Sequence, residues 1–300
     1  MGSPDKYGSK SRPEPENSQS GLAPGLYITA TPIGNARDVS LRALDVLLGC
    51  DLIAAEDTRV TAKLLAIHGI SKSMTAYNDH NAPCERPKLI AKLRRGARIA
   101  LVSDAGTPLV SDPGYKLVRE AIAEGIALHA VPGASSVLTA LVLAGLPTDR
   151  FFFAGFLPSK SGERRNALAE FKPLHSTLIF FESAQRLAES LVDLEAVLGN
   201  RAAVVTRELT KLHEEIRHGD LASLAAHYVQ TATPKGEVTL VIGPPAQAET
   251  DYGRADALLE KALAFMPVRA ASDLVAEALA LPRRALYARA LALKDAGDEG

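Results

Sequence analysis

Between residues 25 and 144 short apolar runs alternate with helical patterns five times over, and this regularity limits the possible folds more than any other feature of the chain. The apolar runs lie near 25–31, 51–55, 74–77, 98–103 and 127–131, and the helical patterns at 40–49, 58–68, 84–95, 113–124 and 134–144. Boundary residues agree with this division. Ser40 stands where an N-cap belongs, and Gly69, Gly96 and Gly125 stand just past helix ends. Five β–α units in succession predict a mostly parallel sheet covered by helices on both faces. Such a sheet carries its ligands at the carboxyl ends of its strands.

The segment Leu146-Pro147-Thr148-Asp149-Arg150 reads as a hinge. Beyond it the chain is richer in strands, near 151–156, 177–181, 202–208 and 236–242, with helices near 163–171, 184–197 and 220–229. This is a second α/β domain. Gly243-Pro244-Pro245 and the polar residues to Asp251 form a linker, and 254–294 is helical throughout. The expected organisation is a disordered tail at 1–24, α/β domains at 25–147 and 148–245, and a small helical module at 251–300.

Composition narrows the function. The 300 residues hold two cysteines, Cys50 and Cys84, and no CxxC pair, so a disulfide framework or a cysteine zinc site is not expected. The seven histidines form no HExxH pattern, and no metal is called for. No apolar run approaches the roughly 20 residues of a membrane span, and the first residues lack the apolar core of a signal peptide; both point to the cytoplasm. A net charge of −1, from 34 basic and 35 acidic residues, argues against binding naked nucleic acid by bulk charge. A local basic patch stays open.

Three loops after strands carry the chemistry. Thr31-Pro32-Ile33-Gly34-Asn35 follows the first strand, and its proline and glycine let backbone approach a ligand. There is no GxGxxG and no Walker lysine, so dinucleotide and phosphate-loop readings lack support. Ser103 to Gly114, SDAGTPLVSDPG, follows the fourth strand and is too elaborate for a minimal turn. Asp112 and Pro113 read there as the N-cap and first residue of a helix, whereas Asp104 stands at the strand end as a functional or turn-stabilising carboxylate. Val131-Pro132-Gly133-Ala134-Ser135-Ser136 follows the fifth strand, its serines opening a helix.

TPIGN, SDAGTPLVSDPG and PGASS, in this order and spacing, resemble the tetrapyrrole-methylase superfamily of S-adenosylmethionine enzymes. Glu56 to Arg59 (EDTR), Tyr77 to Asn81 (YNDHN), Phe180 to Arg186 (FFESAQR), Arg207 to Glu215 (RELTKLHEE) and Pro234 to Ile242 (PKGEVTLVI) narrow the resemblance to the RsmI family of small-subunit ribosomal RNA cytidine-2′-O-methyltransferases. It runs from about Gly25 to the C-terminus. The resemblance implies two α/β domains with S-adenosylmethionine folded into the cleft between them. By position, Pro32, Asp104, Ala105, Gly106, Thr107, Val110, Ser135 and Ser136 would hold the cofactor from the first domain, and Ser183, Ala184, Leu209, Pro234, Lys235 and Gly236 from the second. It also implies a homodimer and a cytidine in 16S ribosomal RNA as substrate, either free or within the assembled small subunit.

Methyl transfer to a ribose hydroxyl needs in-line placement of oxygen, methyl and sulfur, and a group that takes the hydroxyl proton. Asp104, Glu56, Asp57 and Glu208 are the possible acceptors, with Lys211 as an alternative if its pKa is depressed. Arg59 and Arg207 cannot serve as bases and read as phosphate or carboxylate partners. Lys160, Arg164 and Arg165 open a helix, where cations oppose its dipole; they are read either as a solvated helix start or as contacts to RNA phosphates. From Ala278 to Lys294 the helical module holds Arg283, Arg284, Arg289 and Lys294 and no acid. It resembles a helix-turn-helix and reads as an RNA-docking module or a packing cap. The rival readings are a tetrapyrrole methylase of the same fold and a non-catalytic nucleic-acid-binding protein.

Overall fold

A computed structural model of the chain describes residues 21–245, 252–279 and 281–298. Of the tail expected at 1–24, residues 1–20 lie outside the described residues, as does most of the expected linker, 246–251. Within the described part the packed chain begins before Gly25: Leu22 packs against the first core, and Tyr27 donates its hydroxyl proton to the Ala23 carbonyl at 2.7 Å.

The predicted β–α units form. Strands β1 (Gly25–Thr29), β2 (Leu52–Ala55), β3 (Met74–Ala76), β4 (Arg98–Val102) and β5 (Leu128–Val131) make one parallel sheet in the order β3-β2-β4-β1-β5. Helices α1 (Leu41–Gly49), α2 (Thr58–Ile67), α3 (Ala82–Arg94), α4 (Tyr115–Ala123) and α5 (Ser136–Leu143) connect and follow them. Alternate residues of each strand point to opposite faces, and both faces are covered. Leu26, Ile99 and Leu101 pack with Leu89, Leu93 and Leu117 on one side, whereas Tyr27, Ala100 and Val102 pack with Val46, Leu47 and Leu65 on the other. Burial on both faces is why these strands read as continuous apolar runs. Ser40 accepts from the Ala43 N–H as an N-cap. Gly69, Gly96 and Gly125 follow the ends of α2, α3 and α4 at φ of 67°, 84° and 66°. At each, the next residue donates back five positions to close the helix: Ile70 to Leu65, Ala97 to Lys92 and Ile126 to Ala121.

The start of α4 corrects one expectation. The helix begins at Tyr115 with Gly114 as its cap at φ 130°, so Asp112 is not an N-cap. The chain reaches α4 through Leu109 and Ser111 in left-handed backbone, φ 77° and 65°, and this longer path carries Asp112 clear of the helix start.

The second sheet runs β6-β7-β10-β8-β9. Its strands are β6 (Phe151–Phe156), β7 (Thr177–Ser183), β8 (Ala202–Arg207), β9 (Glu215–Asp220) and β10 (Glu237–Ile242), with helices α6 (Ser161–Phe171), α7 (Leu187–Leu198) and α8 (Leu221–Gln230). β6 pairs parallel to β7; the other pairings are antiparallel. The sequence did not reveal β9: Glu-Ile-Arg-His-Gly-Asp has no apolar run, because an edge strand paired only to β8 can stay polar. One face of the sheet packs under Leu168, Leu187, Leu191 and Leu224. The other buries Ile179, Val204 and Val241 against Val137, Ala140 and Leu141 of α5. Helix α5 thus serves both halves and fixes the carboxyl edge of the first sheet over one end of the second.

The described residues fall into two compact units, divided at Pro244 and Pro245. The second holds α9 (Gly253–Leu263), α10 (Val268–Leu279) and α11 (Arg283–Asp298) around Ala255, Leu259, Ala271, Val275, Leu286 and Ala290. Among the described residues no helix is long and apolar enough to cross a membrane.

Candidate functional site

In the first sheet β1 and β4 are neighbours, and their connections depart to opposite sides, β1 to β2 and β4 to β5. Ligands collect at such a switch point. The two loops there are joined by main chain: the Thr31 N–H donates to the Gly106 carbonyl at 2.8 Å, and the Gly106 N–H donates back at 3.1 Å. Between β2 and β4 a second pair of bonds closes. The Asp104 N–H donates to the Glu56 carboxylate at 3.2 Å, and the Asp57 N–H donates to the Asp104 carboxylate at 3.0 Å.

The facing end of the second sheet comes from the end of β7, the start of β10 and the loop after β8. Glu208 and Thr210 in that loop also hold left-handed backbone, φ 50° and 65°. Non-glycine residues in that region are strained, and such residues gather at functional sites. Gly236 permits the close packing here: at φ 99° any side chain would strike the Glu208 carboxyl group.

Two cavities lie between these ends. The first, about 350 Å³, is lined by Glu56, Asp104–Thr107, Val110–Asp112 and Ser135–Val137 from the first half. The second half gives it Phe156, Phe181–Ser183 and Gly236–Thr239. The second cavity, about 370 Å³, lies between the loop Thr31–Gly34 and α2 and shares Asp104, Ala105 and Glu237 with the first. Leu209 lines a smaller hollow beside them.

The carboxylates divide by environment. Burial pushes the pKa of Glu56 up, and the nearby charges of Asp112 and Asp104 add to it. Burial also raises Asp104, although its side chain stays open to water at the cavity mouth. Asp112 is raised by burial despite a hydrogen bond from Ser103. By contrast, hydrogen bonds from Arg59 hold Asp57 down to about 2. The Lys211 hydrogen bond lowers Glu208. Burial alone would depress Lys211, but hydrogen bonds to Glu208 and Glu237, both at 2.9 Å, outweigh it and raise its pKa. The structure therefore removes Lys211 as a base, because its ammonium is held by two carboxylates. Asp57 and Glu208 are likewise held ionised by cations, which leaves them poor proton acceptors. Glu56 and Asp104 remain, and the geometry adds Asp112.

The expected cofactor residues separate in the same way. Asp104, Ala105, Gly106, Thr107, Val110, Ser135, Ser136, Ser183 and Gly236 line the first cavity, while Pro32 lines the second. Ala184 instead packs into the core beneath the second sheet. Pro234 and Lys235 line none of the three hollows; the Lys235 carbonyl accepts from Arg207. The sequence reading missed Ser111, Asp112, Phe156, Glu182, Glu237 and Thr239. Glu182 and Glu237, charges set in otherwise apolar strands, were the available signal.

Among the basic residues the structure corrects Arg164. Arg164 is fully buried, pairs with Asp193 at 2.7 Å and donates to the carbonyls of Pro158 and Ser159. It cannot reach an RNA phosphate. Arg165 shares Asp193 at 2.6 Å, and Lys160 pairs with Glu163 at 3.0 Å. Arg207 pairs with Glu215 and Arg59 with Asp57. In the helical unit Arg289 is bound to Asp256 and lies over the Tyr252 ring. Arg283 and Arg284 line a hollow with Arg269, Ser272, Asp273 and Tyr287, and Arg283 is 3.6 Å from Asp273.

Comparison with known proteins agrees with this geometry. Residues 25–225 match the Tetrapyrrole (Corrin/Porphyrin) Methylases, and residues 249–294 match the RsmI C-terminal HTH domain. The chain is 50% identical over 280 residues to a Mesorhizobium japonicum protein named ribosomal RNA small subunit methyltransferase I, covering 93% of this chain and 95% of that one. A crystal structure of diphthine synthase superposes with a TM-score of 0.58 at 16% identity, over 73% of this chain and 89% of that one. Uroporphyrin-III C-methyl transferase from Thermus thermophilus, complexed with S-adenyl homocysteine, does so with a TM-score of 0.52 at 19% identity, over 73% and 97%.

Proposed function

Because the chain belongs to the tetrapyrrole methylase family and, within it, to the RsmI branch, we propose that it is an S-adenosylmethionine-dependent methyltransferase acting on the ribose 2′-hydroxyl of a cytidine in 16S ribosomal RNA. The observation that carries the methyl-transfer reading is the first cavity, where three of five carboxylates stand without a cation. Among the described residues none of Glu56, Asp104 and Asp112 forms an ion pair. Uncompensated negative charge suits a cationic ligand, and the apolar side chains of Val137, Phe156 and Phe181 suit a flat aromatic one. A sulfonium cofactor with an adenine ring meets both demands, and about 350 Å³ falls within the range of roughly 300–1,000 Å³ usual for small-ligand sites. Asp104–Thr107, Ser135 and Ser136 would hold it. When bound, it supplies an activated methyl group.

The residues of the chain supply the rest. Glu56 and Asp104 are poised to accept the hydroxyl proton, because burial keeps their proton affinity above that of an ordinary carboxylate. The main-chain bonds between Asp104, Glu56 and Asp57 fix both carboxylates in place before substrate arrives. The second sheet forms the facing wall through Phe181–Ser183 and Gly236–Thr239.

The helical unit at 251–300 is proposed to dock RNA through Arg269, Arg283 and Arg284, whose hollow offers cations to phosphates. Arg289, already bound to Asp256, contributes less. The acting form is proposed to be a cytoplasmic homodimer, with the assembled small subunit as substrate. Near-zero net charge favours recognition of an assembled shape over naked RNA.

Transfer of labelled methyl to small subunits lacking the modification, followed by nucleotide mapping, tests the reading. Label on a cytidine ribose supports it, and label on a base or on no RNA overturns it. Reversing Arg283 and Arg284 to Glu should weaken docking and remove about one unit of log–log salt slope per lost phosphate contact. An unchanged slope would assign the helices a packing role.

A further inference from the structure

We propose that the second cavity receives the nucleoside extruded from the RNA, with α2 as the wall against which its base lies. This rests on the methyltransferase reading above and extends it to a site that the reading leaves unassigned. Enzymes that act on a base extrude it from the stack and hold it between apolar side chains while contacting its polar edge; a ribose methyltransferase gains from the same device a way to select one nucleotide, because a bare 2′-hydroxyl in an RNA groove carries no base identity. Three observations fit the second cavity to this task.

The first is contiguity. Asp104, Ala105 and Glu237 line both cavities. A ribose hydroxyl placed at Asp104 stands at the boundary between them, so the sugar reaches the first cavity while the base extends into the second. The second is the lining. Val60, Leu64 and Ile67 project from α2 on one side, and Pro32 to Gly34 stand on the other. Val60 and Ile67 are 39% and 66% exposed, apolar surface without a partner at the cavity rim. Lys211 and Glu237 sit beside this slot, a donor and an acceptor 2.9 Å apart, matched to the mixed donors and acceptors along a base edge.

The third observation is Thr61, on the same helix wall. Its side chain is buried, the residue being 3% exposed, and its hydroxyl has no hydrogen-bond partner. Helical threonines ordinarily bond back to a carbonyl of the preceding turn, and a buried hydroxyl left without a partner is costly. The hydroxyl oxygen is closed to solvent in this structure, so the base would supply the missing partner only once α2 gives way as it enters.

The test uses the full chain and small ribosomal subunits isolated without the modification. Cofactor affinity by calorimetry and steady-state methyl transfer are measured for wild type, Val60→Trp, Leu64→Trp and Thr61→Val. Filling the slot should lower kcat/KM at least about tenfold, with cofactor affinity within about twofold. Thr61→Val should raise KM for the subunits several-fold, the loss expected for about one buried hydrogen bond, without lowering thermal stability. Val60 is exposed, so its tryptophan variant remains informative if Leu64→Trp folds poorly. If both tryptophan variants methylate subunits as wild type does, the base does not enter this cavity and the proposal fails, while the methyltransferase reading stands. If they lose cofactor affinity instead, the cavity belongs to the cofactor and the proposal also fails. A wild-type chain that methylates no ribosomal RNA would sink the underlying reading itself.

Discussion

The two walls of the first cavity handle charge in opposite ways. On the first-sheet wall Glu56, Asp104 and Asp112 stand without ion-pair partners among the described residues, and burial raises the pKa of each. On the second-sheet side the two acids that line the cavity, Glu182 and Glu237, each have a cation. Glu182 pairs with Arg186, Glu208 and Glu237 with Lys211, Glu215 with Arg207, and the more distant Asp193 with Arg164. Charge left unpaired at a cavity is available to a ligand or a proton; charge already paired holds the chain in place. On the proposed reading chemistry belongs to one wall and support to the other, and four measurements can break or sharpen that division.

The largest effect is expected at Asp104. Asp104→Asn keeps an acceptor for the Asp57 N–H, so the loop should stay folded while turnover falls about 10²–10⁴-fold, the usual worth of a positioned base. Glu208→Gln, on the paired wall, should cost turnover less than about tenfold. Equal losses in both variants would erase the distinction between the walls. Next comes Arg164→Leu, which leaves the buried Asp193 without one of its cations. The expected cost is about 3–5 kcal/mol of stability, read as a lower Tm, and Arg164→Leu with Asp193→Leu should recover much of it. Loss of RNA affinity at unchanged Tm would return Arg164 to a phosphate-binding role.

A smaller and graded effect concerns pH. A base works only when ionised, so kcat/KM should fall about tenfold per pH unit below its pKa. The limb should lie above the ordinary carboxylate range, since burial raises Glu56 and Asp104. Asp57, held to about 2, would give no limb in the working range. The smallest effect is expected from Asp112→Asn. A carboxyl whose folded pKa exceeds its unfolded value favours folding while it is protonated in both states, and that advantage is lost as pH rises through the folded pKa. The asparagine should therefore raise the neutral-pH Tm of the cofactor-free protein by about 1–2 °C, kept small because water partly screens the carboxyl. The gain should vanish in acid; a Tm lowered at neutral pH would place Asp112 with the supporting acids.

How much of this was legible in the sequence depended on whether the signal was local. The first sheet was plain because strands such as Ile99–Val102 are buried on both faces and so must be continuously apolar. Ser40 and Ser135 announced helix starts because a cap acts on residues within one turn. What failed was set by distant contacts. Arg164 looked like a surface cation until Asp193, from α7, closed over it. Lys211 could have been depressed or raised; Glu208, three residues away, and Glu237, from β10, together raise it. Asp112 has the local grammar of a cap, but the left-handed turns at Leu109 and Ser111 deliver it to the cavity. β9 was hidden because an edge strand needs only a backbone partner, and Ala202–Arg207 supplies one.

The reciprocal bonds between Thr31 and Gly106 run from backbone to backbone. Nothing in them depends on the side chain at position 31, and position 106 demands a residue that accepts its φ of 80° and adds no bulk against Ile33. The seam between the two loops is thus written in the path of the chain rather than in its chemistry. Beside the seam, Pro32 and Ala105 line the cavities without taking part in these two bonds, whereas Ile33 packs in the core and the Thr107 hydroxyl donates to the Ala134 carbonyl. A single scaffold can in this way pass from one methyl acceptor to another by small steps, each of which leaves the stitching whole.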